Sequence, residues 1–327
     1  MENNFIAGSS PHIHGKQNVR KIMLDVIIAL MPAAIAGIYF FRLEALLLIL
    51  VTVAACVLAE FVWCKLVKKE NTIYDLSAIV TGMLLSFNLS PEVPLWIAVI
   101  GGVFSIIIVK QLFGGLGHNF VNPALAARAF LMASWPVQMT TWKLPVGVEA
   151  VGSATSVDAV SSATPLALLK MGAANKLPDL LDMFLGRIGG CIGETSALAL
   201  LIGAIYLVVR RVITLETPLA FIGTVGFMTW MLGGEELFTG QFMYYILGGG
   251  LMLGAFFMAT DYTTSPVTAK GRLIMGVGCG ILTSVIRLYG GYPEGVSYSI
   301  LLMNLVVPMI DRYLVPKSFG GGAVKNA

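Results

Sequence analysis

The sequence predicts an all-α integral membrane protein of about ten transmembrane helices, and three observations carry that reading. Of its 327 residues, 57% are hydrophobic and only 12% are charged, whereas a soluble domain carries about 25% charged residues. Mean hydropathy is +0.84. Long apolar runs recur between clusters of charge or turn residues, and a hydrocarbon core roughly 30 Å thick needs about 20 apolar residues per helix.

The elements follow in order. Residues 1–20 (MENNFIAGSSPHIHGKQNVR) are polar, with no apolar core and no small-residue cleavage site. They read as a cytoplasmic N-terminal segment, and no removable signal peptide is expected. A first repeat over 21–138 holds spans near 22–41, 43–64, 75–89, 92–109 and 119–138. The third is short, because fifteen residues at 1.5 Å each reach about 22 Å. It stops at the breaker Asn88-Leu89-Ser90-Pro91. A long polar loop occupies 139–190. A second repeat over 191–316 holds spans near 191–209, 215–233, 241–260, 272–289 and 297–315, followed by a tail over 317–327.

The halves echo one another. Ser90-Pro91 precedes Leu112-Phe113-Gly114-Gly115, and Ser265-Pro266 precedes Leu288-Tyr289-Gly290-Gly291, at offsets of 175 and 176. Two copies of five helices each must point in opposite directions, so two inverted five-helix repeats are expected, the plan several transporters use to build a midplane site. Ten spans also put both termini on one side. That side collects Lys16, Arg20, Lys21, Lys65, Lys68, Lys69, Lys110, Arg210, Arg211, Lys270, Arg272, Arg312, Lys317 and Lys325. The other has Arg42, Lys143, Lys170, Lys176, Arg187 and Arg287, while Arg128 lies inside a span. The positive-inside rule then makes the termini cytoplasmic and the 139–190 loop extracytoplasmic.

Cys56, Cys64, Cys191 and Cys279 are scattered without C-x-x-C spacing. They read as small packing residues, and a cysteine-ligated iron–sulfur cluster within this chain is not expected. A Gly-rich dinucleotide fingerprint is also missing, and nothing points to a nucleic-acid partner.

The long loop contains DAVSSATPLALLK, residues 158–170. Ser, Thr and Pro favour loops, so on composition this is a solvated turn. Yet Asp158-x-x-Ser161-Ser162-Ala163-Thr164 resembles the D-x-x-[ST]-G-A-T flavinylation sequence of the Rnf and Na⁺-translocating NADH:quinone reductase subunits, with Ser162 where glycine is commonest. The likeness extends to Ser10-Pro11-His12-Ile13-His14, to Gly114-Gly115-Leu116-Gly117-His118-Asn119-Phe120-Val121-Asn122-Pro123-Ala124, to Asp261-Tyr262-Thr263-Thr264-Ser265-Pro266 and to Gly290-Gly291-Tyr292-Pro293-Glu294-Gly295. The chain therefore resembles the RnfD/NqrB family, and its length and short N-terminus lie closer to the RnfD members.

The resemblance implies an NqrB-like or urea-transporter-like fold and FMN joined by a phosphoester to Thr164 by a flavin transferase. The outward loop read from the charge count puts that flavin outside the membrane on a wet surface, and the resemblance further implies a noncovalent riboflavin among the helices. It also implies a bacterial inner-membrane ferredoxin:NAD⁺ oxidoreductase coupled to Na⁺ or H⁺ export, with RnfA, RnfB, RnfC, RnfE and RnfG as partners. Such a chain is a component of a translocase and completes no reaction alone.

For the riboflavin, Asn119 and Asn122 are the candidate contacts, three apart and hence on one helix face at the start of the fifth span. Their amides offer donors and acceptors; as N-cap residues they have an equal claim. His118 reads as a proton carrier or a surface residue. Among the acids in or beside spans (Asp25, Glu60, Asp75, Glu194, Asp261), Glu194 and Asp261 adjoin Ser/Thr oxygens and are the candidates for an ion route. The competing reading is a urea-transporter-like channel or solute carrier without flavin.

Overall fold

The computed structural model describes residues 18–69, 71–145, 164–172, 177–234, 236–291 and 294–314. Among them the chain is helical and has no strand.

Helix α1 runs Val19–Val67, started by Asn18, whose side chain accepts from the Lys21 amide. Forty-nine residues of unbroken helix would be about 74 Å long, far more than a bilayer holds. At Arg42 the backbone leaves helical geometry (φ 53°, ψ −132°), dividing α1 into the two spans read from the sequence. A 3₁₀ turn over Ile73–Asp75 leads into α2, Ser77–Phe87. Asp75 accepts from both the amide and the hydroxyl of Ser77 at 2.8 and 2.5 Å. The other end is closed by Asn88, whose amide donates to Leu84 O at 2.6 Å. Its eleven residues rise only about 16 Å. The third span is therefore a half-helix, buried on nearly every side. Gly82 permits that, because a Cβ there would stand 2.7 Å from the Val53 backbone of α1.

Helix α3, Leu95–Val103, continues as a π-helix over Phe104–Gln111. The fifth span starts later than expected. Pro123 opens α4, Pro123–Ser134, with Asn122 as N-cap, and a four-residue α5, Pro136–Met139, follows. Short helices α6, Pro165–Lys170, and α7, Leu180–Leu185, stand in the described parts of the long connection.

In the second half, residues 191–196 form a turn instead of the start of a span, and α8 is Ala197–Val209. Helix α9 is Glu216–Leu232. The span expected over 241–260 is split into α10, Phe242–Leu247, and α11, Leu251–Leu253, which runs into a π-helix over Gly254–Met258. Gly249 and Gly250, at φ 64° and 67°, make the break. Helices α12, Ala269–Tyr289, and α13, Val296–Tyr313, complete the fold.

Each half holds one π-helix, continuing α3 in the first and α11 in the second. Two of the described helices, Val19–Val67 and Ala269–Tyr289, are long and apolar enough by length and composition to cross a membrane. The others are shortened or interrupted by these breaks. The polarity is that of a protein in lipid: Ile35, Leu43, Leu58 and Leu66 face outward, while Glu60, Lys110, Arg128, Glu194 and Arg287 are buried.

Candidate functional site

Arg128, in the second turn of α4, is the centre of a buried cluster. Nη1 donates to Asn88 Oδ1 at 2.7 Å and to Glu194 Oε1 at 3.4 Å. Nη2 donates to Cys191 Sγ at 3.6 Å and to Glu294 Oε2. The side chains of Arg128 and Glu194 are each only 6% exposed, so the guanidinium is held by protein alone. Cys191, Glu194 and Glu294 bring their ligand atoms within 4.8 Å of one another. Arg128 already supplies the positive charge among them. Arg287, at the end of α12, donates to the carbonyls of Tyr245, Gly248 and Gly249, capping the break between α10 and α11. Glu194 and Glu294 lie within its electrostatic reach. Two guanidiniums thus face two carboxylates.

Thr164 is beside this cluster. It lines a small cavity of about 10 Å³ with Gly189, Gly190, Glu194, Gly249 and Glu294. Its hydroxyl caps α6 by accepting from the Ala167 amide at 3.3 Å, ahead of Pro165 at the first helical position. The residue is 9% exposed. Asp158, Ser161, Ser162 and Ala163 lie outside the described residues.

A larger cavity, about 90 Å³, is lined by Asn119, Asn122, Asp261, Lys110 and Ser77, with Val26, Leu84 and Phe256 as apolar walls. Asn119 and Asn122 meet there without sharing a helix face, since both precede Pro123; this corrects the sequence reading. Asn122 is occupied as the α4 cap, accepting from Ala124 and Leu125 amides at 3.1 and 3.3 Å and donating to Met258 O at 3.4 Å. Asn119 donates to Val121 O at 3.1 Å and stands near enough to Asp261 to influence its carboxyl. Asp261, in the connection after the second π-helix, accepts from Thr263 and Thr264 hydroxyls at 3.0 and 3.3 Å. Burial raises its carboxyl above the ordinary range, against the lowering pull of Thr263, Thr264 and Asn119.

Lys110, counted from the sequence among the interfacial cations, is instead buried. Its ammonium donates to both oxygens of Glu60, at 2.9 and 3.0 Å, and to Ser77 Oγ at 2.6 Å. Glu60 also accepts from Thr72 and Gln111 at 2.5 and 2.9 Å. Glu194 and Asp261 sit in different cavities. The hydroxyls beside Glu194 are spent on the backbone: Thr195 donates to Ile192 O and Ser196 accepts from the Ala199 amide. His118 is exposed. The four cysteines are free and buried, as packing residues would be, although Cys191 also joins the Arg128 cluster. Glu294 was missed because it sits in a loop. Arg128 carried a visible signal, as the single Lys or Arg placed inside a span.

Residues 6–320 match the model of the NQR2, RnfD, RnfE family. The chain is 51% identical to the D-subunit of the Na⁺-translocating ferredoxin:NAD⁺ oxidoreductase complex of Acetobacterium woodii, covering 99% of this chain and 98% of that protein. It is 47% identical to the D-subunit of the proton-translocating ferredoxin:NAD⁺ oxidoreductase complex of Clostridium ljungdahlii, over 98% and 97%. Identity to the D-subunit of the ion-translocating oxidoreductase complex of Stutzerimonas stutzeri is 40%, over 94% of each.

Proposed function

This chain belongs to the NQR2, RnfD, RnfE family, and from that premise we propose that it is a membrane subunit of an ion-translocating ferredoxin:NAD⁺ oxidoreductase. The observation that carries this is the end-to-end likeness to two such subunits, at 51% and 47% identity. One of those relatives is named for sodium and the other for protons, so the ion here is Na⁺ or H⁺. The chain works as one component beside RnfA, RnfB, RnfC, RnfE and RnfG. It lies in a bacterial inner membrane with both termini cytoplasmic, its halves being inverted copies.

Its own contribution is to carry electrons. We assign covalent FMN to Thr164 and riboflavin to the larger cavity. Flavins supply the redox chemistry, and the protein supplies position and electrostatics. Thr164 supplies an acceptor hydroxyl beside a cavity lined by Gly189, Gly190 and Gly249; at about 10 Å³ it holds no more than a water, so the segment around Thr164 must open to admit a phosphate. Accepting a phosphate there gives up the cap on the Ala167 amide. Asn119 and Asp261 fit an imide-bearing ring by donor and acceptor chemistry, while Lys110 and Ser77 in the same wall have their protons on Glu60, Ser77 and Asp75. Sites for such ligands run from roughly 300 Å³ upward, so Val26, Leu84 and Phe256 must yield on loading.

Coexpression with a flavin transferase tests the covalent site. A fluorescent band on a denaturing gel, present in wild type and Thr164→Ser and absent in Thr164→Val, is expected. A dark wild-type band from the native host favours the flavin-free carrier.

A further inference from the structure

A line of contacts, polar except where it crosses the Met258 side chain, runs through the interior from one cavity to the other. It leaves the Thr164 cavity at Glu194 and Glu294, both bonded to Arg128. Arg128 passes to Asn88 at 2.7 Å. The Asn88 amide also donates to Met258 Sδ at 3.6 Å, and the Met258 carbonyl accepts from Asn122, which lines the second cavity. Here the two buried half-helices meet, since Asn88 closes α2 and Met258 ends the second π-helix. Their carbonyl ends carry partial negative charge. In transporters, the carbonyl ends of interrupted helices are where cations are bound.

In this chain that position already holds a charge that cannot leave. We propose that Arg128 is the electrostatic barrier that keeps this polar line from conducting cations, so that ion movement through the subunit cannot follow it. Arginine stays protonated in proteins, and fixed cations exclude protons and metal ions from otherwise polar pores. The guanidinium is anchored on both sides: Asn88 fixes it from the first half, and Cys191, Glu194 and Glu294 fix it from the second. With Arg128 present, two guanidiniums stand near Glu194 and Glu294; without it, Arg287 is the one guanidinium left near the two acids, and the fixed positive charge on the line is lost.

The test uses the whole purified complex in sodium-free liposomes, with no electron donor, following uptake of radioactive sodium. Wild type and Arg128→Lys, which keeps the charge, stay sealed. Arg128→Gln leaks at least about tenfold faster. Asn88→Asp places a carboxylate against an intact Arg128, cancels its charge without removing the side chain, and leaks as well; this variant decides the matter if Arg128→Gln does not assemble. A wild-type complex as leaky as Arg128→Gln overturns the proposal, as does an assembled Asn88→Asp or Arg128→Gln complex that stays sealed. Equal leakage from Arg128→Lys and Arg128→Gln assigns the effect to lost packing and also overturns it.

Discussion

Lys110 grips both carboxylate oxygens of Glu60, at 2.9 and 3.0 Å, with neither side chain more than 3% exposed. Glu60 belongs to α1 and Lys110 to the π-helix that follows α3, so the pair ties together elements fifty residues apart. Removing one partner of such a pair leaves a buried charge and costs about 3–5 kcal/mol, while removing both costs much less. Glu60→Gln and Lys110→Met should each lower the apparent melting temperature of the purified chain strongly. The double variant should recover most of the loss. Additive single effects would show that the pair is not a unit.

Asn119 has a different kind of role. It lines the larger cavity but caps no helix. Asn119→Ala removes one amide from a bound ring, worth about 1–2 kcal/mol, or roughly 5–30-fold in affinity. Acid extraction followed by chromatography should find noncovalent riboflavin reduced, with the fluorescent band on Thr164 unchanged. Unchanged riboflavin would remove Asn119 from the site.

Gly250 must be glycine for two reasons: its φ is 67°, and a Cβ would stand 2.3 Å from Glu194 Oε1. Gly250→Ala carries at least about 1–2 kcal/mol of backbone strain and pushes Glu194 away from Arg128. Gly223, inside α9, has nothing within 4 Å of a built Cβ. Gly223→Ala should be stabilising by about 0.5–1 kcal/mol. Parallel thermal melts of the two variants check this, and equal outcomes would count against the described break.

Arg42 sits at φ 53° and ψ −132°, geometry that suits glycine. Arg42→Gly should raise stability by about 1 kcal/mol. A loss would mean that the Arg42 side chain holds the turn through contacts of its own.

Much of this architecture could be read from residue order. Apolar run lengths place the break within α1, and Asn88-Leu89-Ser90-Pro91 marks the end of the half-helix. The split of the eighth span is also written in Gly248-Gly249-Gly250, although an apolar run on either side hides it. The partnerships of buried charges were not legible. Lys110 reads as interfacial because it ends an apolar run, and only the fold brings Glu60 and Ser77 to it. Glu294 reads as a loop acid because its partner is 166 residues away. Sequence periodicity reports which face of a helix is apolar; it carries no information about which helix that face meets.

That separation also has a consequence for how the chain is made. The ribosome delivers Arg128 long before Glu194, and Glu294 later still. Until both arrive, the nascent first half holds a guanidinium with no carboxylate to answer it, so its fifth segment has reason to linger at the insertion machinery instead of settling in lipid. The two halves would then close around that residue together, as the last acid emerges.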